Sequence, residues 1–418
     1  MLLRRFNQGN GLFNIHDSER NVCLISFAIF FCLLSSYYIL RPIRESMAIA
    51  GGLENIPWLF SATFLGGLVI VPVYGWACAH LHRAWLLAAV YASVVVALIV
   101  FYFLFNLNPD DPSLARAFYV WISVFNLLIV SVFWSLMADL FNPEQAHRVF
   151  GFIAAGGSLG ALCGPLVSAL LVAHTGHALL FLVSAAGFGC AVCLVFWLIS
   201  TNPQNSTNKT ADHPMSGDPF TGLFLVMRTP FLQGYGLFIL LLSGVSTFLY
   251  FQQAELVRDA FPDNESRTQL FAWVDFAVNT LSIGSQLFLT GNIVKRFGVS
   301  IPLVSIPVLL LLGFVSFALY PMLSAAIGVM MVRRVGEYAF IRPCREMLFT
   351  NLSRDMKYKA KHVIDIVVYR GADALNSWFF IACQQFGLAL TGTAWIGATL
   401  AGLSALTGYA LGRRHDQS

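Results

Sequence analysis

The chain has 418 residues, 57% of them hydrophobic and 11% charged, with a mean hydropathy of +0.71. That composition lies outside the soluble globular range, and a net charge of +4 is too small to mark a nucleic-acid polymer as a partner. No GxxxxGK[ST] loop, HExxH pair or Cys/His cluster occurs in the sequence, so ATP-driven pumping and metal hydrolysis have no support, and no metal, cofactor or enzymatic activity is expected.

Residues 1–22 are polar and include Arg4, Arg5 and Arg20. The apolar run behind them is too long for the core of a signal peptide and shows no small-residue cleavage site, so it is expected to remain as a first membrane helix. A helix needs about 20 mostly apolar residues to cross the bilayer. Twelve stretches qualify, near 22–46, 57–79, 84–106, 116–139, 149–173, 178–199, 229–254, 268–290, 299–320, 322–346, 362–390 and 393–412. Between the sixth and the seventh, residues 201–217 are polar and read as a linker. The expectation is an all-α membrane protein with a six-helix half at 1–200, a cytoplasmic linker at 201–220 and a second six-helix half at 221–418. With the N-terminus inside, the cytoplasmic segments hold 15 basic residues and the outer loops three, Arg116, Arg258 and Arg267. This bias predicts that both termini are cytoplasmic. All eight cysteines lie in or beside apolar runs, and the CxxC formed by Cys190 and Cys193 is read as packing.

The first span ends on Arg41-Pro42-Ile43-Arg44-Glu45, and the tenth ends on Arg342-Pro343-Cys344-Arg345-Glu346, with Tyr37 and Tyr338 preceding the two copies at the same distance. An unpaired central charge costs roughly 2.5–3.5 kcal/mol on insertion scales, so three in one helix must be paired, face water or sit near an interface. At about 100° per residue, Tyr37, Arg41, Arg44 and Glu45 share one helix face. The i,i+4 rule pairs Arg41 with Glu45 and Arg342 with Glu346. It leaves Arg44 and Arg345 for a ligand anion, a role that suits a guanidinium. A helix-end latch that snorkels to the interface is the other open reading. The candidate substrate-binding residues are Tyr37, Arg41, Arg44, Glu45, Arg334, Arg345 and Glu346. A second set is expected to act in coupling or charge pairing: Asp275 in the eighth span, Arg333 and Glu337 in the tenth, and Asp365, Arg370 and Asp373 in the eleventh. Arg333 is expected to pair with Glu337 at i+4. For Asp275, pairing with Arg333, Arg334 or Arg370 is favoured over proton carriage.

The loop after the eighth span, Gly291-Asn-Ile-Val-Lys295-Arg296-Phe-Gly298, resembles the G-x-x-x-[DR]-R-x-G signature of the major facilitator superfamily. The loop after the second span keeps Gly75 and Arg83 but has Ala79 in place of the acid and His82 in place of the second glycine. Gly151, Gly160, Gly164 and Pro165 in the fifth span, G-x8-G-x3-GP, resemble the antiporter signature of drug exporters in that superfamily, with Ser168-Ala169 in place of its terminal glycine pair, though small residues at this spacing also let helices pack closely. The two charged motifs lie on oppositely directed helices, as the superfamily's nested inverted repeats imply.

A narrower resemblance is to the ATP/ADP translocases of plastids and intracellular bacteria and their compact bacterial relatives. It rests on Arg41-Pro-Ile-Arg44-Glu45, on Phe133-Trp134, Asp139 and Gln145-Ala-His-Arg148-Val-Phe-Gly151, and on Arg345-Glu346-Met347 through Lys357, Lys359, Lys361 and Asp365. The family's glutamate in the fourth helix has no counterpart before Asp139, and the eighth helix has Asp275 where a glutamate is expected. The resemblance implies a major facilitator fold in the bacterial inner membrane, and a secondary active transporter that works as a monomer in the lipid bilayer. It would move a small anionic organic solute by alternating access, through exchange or proton coupling. A proton-driven exporter of drugs or siderophores is the alternative within transport; a non-transporting receptor or scaffold is the alternative outside it.

Overall fold

The computed structural model describes residues 19–80, 83–201, 219–349 and 363–416. Among the described residues the secondary structure is helical throughout, with no strand. The helices are α1 (Arg20–Ala50), α2 (Ile56–His80), α3 (Arg83–Leu107) and α4 (Pro112–Leu140). Pro143–Thr201 follows as one run, which Gly176 divides into α5 and α6. A short helix, Pro219–Arg228, precedes α7 (Pro230–Ala260), α8 (Asn264–Ser285), α9 (Ser300–Leu319), α10 (Leu323–Gly336), α11 (Tyr369–Gln385) and α12 (Leu390–Asp416). The twelve expected spans fit this order.

Local chemistry explains the breaks. Gly176 has φ 64°, a left-handed conformation that side chains with a Cβ avoid, and it turns α5 into α6. Asp111 caps α4 by accepting from the Ser113 N–H at 2.8 Å, with Pro112 at the first helical position. Asn142 and Gln145 form a reciprocal capping box before α5: each side-chain oxygen accepts the other's backbone N–H, at 2.9 and 3.0 Å. Gly298, the last glycine of the signature loop, has φ 73°, and the Asp416 carboxylate accepts from the N–H groups of Val299 and Ser300 beside it, at 3.1 and 3.2 Å. The equivalent position in the first signature loop, His82, lies outside the described residues, as does most of the expected linker.

Eight helices among the described residues are long and apolar enough to cross a membrane, one of them the double run that contains Gly176. α8, α10 and α11 do not meet that measure, and they are the helices that carry Asp275, Arg333 with Arg334, and Arg370 with Asp373. Each of the three also contains a π-helical turn: Gln286–Thr290 after α8, Glu337–Ile341 between α10 and the short helix Arg342–Met347, and Ile364–Val368 before α11. Such turns occur mostly at functional positions in α-helices.

The described residues group into two compact units. The first gathers 19–50, 69–201 and 263–276. Its core stacks Phe30 on Phe133 at 4.4 Å and Phe105 on Phe181 at 5.4 Å. In this unit α1 lies directly on α5: a Cβ on Gly160 would meet the Phe31 carbonyl at 2.6 Å, and one on Gly164 would meet the Ser35 carbonyl at 2.5 Å. The glycine pattern of the fifth span therefore serves close packing.

The second unit gathers 51–68, 219–262, 277–349 and 363–416. Buried Phe248, Phe314, Phe317 and Phe380 anchor its core. The first segment of α2 packs here through Trp58, whose ring meets Trp378 edge-on at 5.0 Å, and through Ser61, which accepts from the Trp378 indole N–H at 3.2 Å.

Candidate functional site

In the first unit, α1 carries Tyr37, Arg41, Arg44 and Glu45. Tyr37 is buried and packs edge-on against Tyr38 at 5.4 Å. Arg44 ion-pairs with its neighbour Glu45, and its guanidinium lies over the Tyr119 ring at 5.5 Å. Arg41 reaches Asp275 on α8, with Nε 3.7 Å from Oδ2, and also lies over Tyr38 at 5.6 Å. Asp275 is 1% exposed, so a cation beside it relieves a large desolvation cost.

The start of α8 is held in this unit by several polar contacts. The Ser46 hydroxyl donates to the Asn264 carbonyl at 2.9 Å, Gln269 donates to the Ala169 carbonyl at 3.2 Å, and His177 Nε2 lies 2.9 Å from the Thr268 hydroxyl. Arg41 on α1 is a partner of Asp275 that helical spacing does not indicate, because residues 263–276 pack with α1. One expectation is corrected here: Arg44, expected to stand free, is held by Glu45.

In the second unit the cluster is built around Glu337. Its Oε1 lies 3.3 Å from Arg345 and 3.7 Å from Arg342. Arg345 is 8% exposed, donates through Nε to the Tyr235 hydroxyl at 2.9 Å, and stacks over that ring at 5.6 Å. Arg342 is largely exposed and lies over Tyr338 at 5.2 Å. The expected Arg333–Glu337 and Arg342–Glu346 pairings give way to these, and Glu346 is exposed.

A π-helical turn brings Arg342 to Glu337. It adds a residue to the turn, so that the Arg342 N–H bonds to the Glu337 carbonyl, an i,i+5 relation. Arg342 then stands where residue 341 would stand in an α-helix, while the backbone from Arg333 to Glu337 keeps its i,i+4 bond. The turn is locked from α8's own π-helical turn: the Gln286 amide donates to the Tyr338 carbonyl at 2.9 Å, and the Thr290 hydroxyl to the Ala339 carbonyl at 2.8 Å. Side chains thereby satisfy carbonyls that the widened ladder disturbs.

Arg334 is buried. On α11, Asp373 accepts from the Ser243 hydroxyl at 2.6 Å, and Asn376 donates to the Leu240 carbonyl at 3.2 Å. Arg370 is half-buried on the same helix; the side chain of Asp365 lies outside the described residues. A small recess opens between α7, α9, α10 and α11. Its polar wall is Arg333, Glu337, Tyr369 and Ser246. Sequence reasoning did not single out Tyr119, Tyr235, Ser243, Ser246 or Tyr369. Each is a lone hydroxyl residue within an apolar or mixed run, and only the neighbours that the fold brings to it distinguish it.

The sequence matches the Major Facilitator Superfamily over residues 22–341. The chain belongs to the major facilitator superfamily. It is a multi-pass membrane protein and a secondary transporter of a small solute. Similar curated proteins include an ADP,ATP carrier protein 1 of Chlamydia muridarum, 24% identical over 89% of this chain and 84% of its own length. Another is ADP,ATP carrier protein 2, chloroplastic, of Arabidopsis thaliana, 22% identical over 90% of this chain and 71% of its own length. Among solved structures, a bacterial homologue of the iron transporter ferroportin in an inward-facing state superposes with a TM-score of 0.66 at 14% identity, over 95% of this chain and all of its own. The nucleoside transporter NupG gives 0.62 at 14% identity, over 96% of this chain and 100% of its own. At these identities the structures speak for the fold.

Proposed function

We propose that this superfamily member moves a small organic anion across the bacterial inner membrane by alternating access, with solute exchange or proton coupling as the driving step. One observation carries the reading: the tenth span holds four arginines, Arg333, Arg334, Arg342 and Arg345, against two glutamates, Glu337 and Glu346. Cations in a membrane helix are retained where they meet a charge partner, and among the described residues Arg333 has no carboxylate within ion-pair distance. An anionic cargo supplies that contact. In the first unit the balance is even, with Arg41 and Arg44 facing Asp275 and Glu45, which suits a structural or gating role there. The carrier names of the relatives put adenine nucleotides on the panel to be tried. Proton coupling draws on the carboxylates of the membrane helices, Glu337, Asp373 and Asp275.

The test is counterflow in proteoliposomes preloaded with unlabelled solute, using labelled monocarboxylates, dicarboxylates, sugar phosphates, nucleotides and siderophores, with and without a pH gradient. Accumulation of an anion and not of cationic drugs supports the proposal. Selective movement of cations would replace it with the proton-driven exporter. Both termini and the linker are placed on the cytoplasmic side in this reading. Reporter fusions after Gln204 and Ser418 that read as periplasmic would reverse the orientation.

A further inference from the structure

We propose that the recess of the second unit is the seat of the cargo's anionic group and that Arg333 grips it. This inference rests on the transporter reading and names its ligand contact.

Four observations lead there. Glu337, the one carboxylate lining the recess, is already engaged by Arg342 and Arg345. Asp373 is engaged by the Ser243 hydroxyl. Among the described residues, Arg333 has no carboxylate within the 4.0 Å of an ion pair, and its hydrogen bond runs from Nε to the Met330 sulfur at 3.3 Å, a weak acceptor. The two terminal nitrogens thus keep their donors for something else. A guanidinium in a low-dielectric wall with no carboxylate in contact is unfavourable, and an oxyanion that accepts from its planar fork removes that cost.

The rest of the recess defines the ligand. Leu242, Val245, Leu310 and Ile341 form an aliphatic wall, while Ser246 and Tyr369 bring hydroxyls. The recess is small and has room for a water-sized group beside the guanidinium. It seats an oxygen of a small oxyanion head, a carboxylate or a phosphoryl group, with the rest of the solute outside it. The Glu337 charge does not exclude such a head, because two guanidiniums neutralise it. Arg345 and Arg342 then hold Glu337 in place, and Arg333 meets the solute, which reverses the roles that helical spacing assigned to them.

The experiment is equilibrium binding of labelled butyrate to the purified full-length protein in detergent, with acetate, inorganic phosphate and butylammonium as competitors. Butyrate is expected to bind saturably, and butylammonium is expected not to compete. Arg333→Gln should weaken butyrate about 10- to 100-fold, and Arg333→Lys less. Ser246→Asp places a carboxylate in the same recess and should abolish butyrate binding in a protein that still folds. This variant keeps the test open if Arg333→Gln fails to accumulate. Arg258→Gln, on an exposed residue paired with Asp259 at 3.0 Å, should bind as the unmodified protein does.

Wild-type affinity in Arg333→Gln or in Ser246→Asp overturns the site whatever the protein transports. Equal competition by butyrate and butylammonium also overturns it. Butyrate binding that depends on Arg333, in a protein that moves no solute of the panel, keeps the site and defeats the transport reading instead.

Discussion

Glu337→Gln tests the second-unit cluster most directly. The carboxylate has two cationic neighbours of unequal weight. Arg345 lies 3.3 Å away and its side chain is 10% exposed, so at an effective dielectric of about 20 the attraction is about 5 kcal/mol before desolvation. Arg342 lies 3.7 Å away with its side chain 63% exposed, and in a water-like dielectric its share falls to about 1 kcal/mol. Removing the charge takes the 3.3 Å ion pair from the buried Arg345. Stranding one partner of a buried pair costs about 3–5 kcal/mol.

The expected result is a clear fall in the midpoint of thermal unfolding in detergent and in membrane abundance. Glu337→Gln combined with Arg345→Met should recover most of the loss, since an apolar replacement of the whole pair is close to neutral. A double-mutant cycle on the unfolding midpoint measures the coupling. Additive effects for Glu337 and Arg345, or coupling of Glu337 to Arg333 instead, would refute the pairing on which the argument stands.

Three further outcomes are expected. Asp275→Asn should lower stability by about 3–5 kcal/mol by breaking the buried pair with Arg41, and the charge-swapped pair Arg41→Asp with Asp275→Arg should restore transport. Intact counterflow in Asp275→Asn, with only the response to a pH gradient lost, would make Asp275 a proton carrier instead. Gly160→Ala should cost about 1–3 kcal/mol by pushing α1 from α5, while Gly189→Ala, which meets nothing within 4 Å, should be neutral; the comparison is read from detergent melting curves. Gly298→Ala should lose about 1–2 kcal/mol, since its φ of 73° is left-handed and the new methyl would press on Asp416 at 2.8 Å. An unchanged melting midpoint would show that the loop relaxes.

Much of this protein follows from the order of its residues alone. Stretches of about 20 apolar residues have no stable place but the bilayer, where backbone groups must bond within the segment, so hydropathy suffices to position the spans. Glycine at 160, 164 and 298 was legible as close packing or a turn, because only a missing Cβ permits either. The four arginines of the tenth span stood out because charge is costly among apolar residues. Their partners were a different matter. The i,i+4 rule assumes 3.6 residues per turn, and the π-helical turn at Glu337–Ile341 breaks that period and brings Arg342 to Glu337. No local propensity announces such a turn, since Gln286 and Thr290 of another helix hold its carbonyls. One partner of Asp275 was equally out of reach: Arg41 lies more than 200 positions away in the chain. Only the packing of residues 263–276 beside α1 brings them within 3.7 Å. Sequence determines which charges must be compensated, because the cost of burial is local; tertiary structure decides which charge compensates which, because the attraction depends on distance in space.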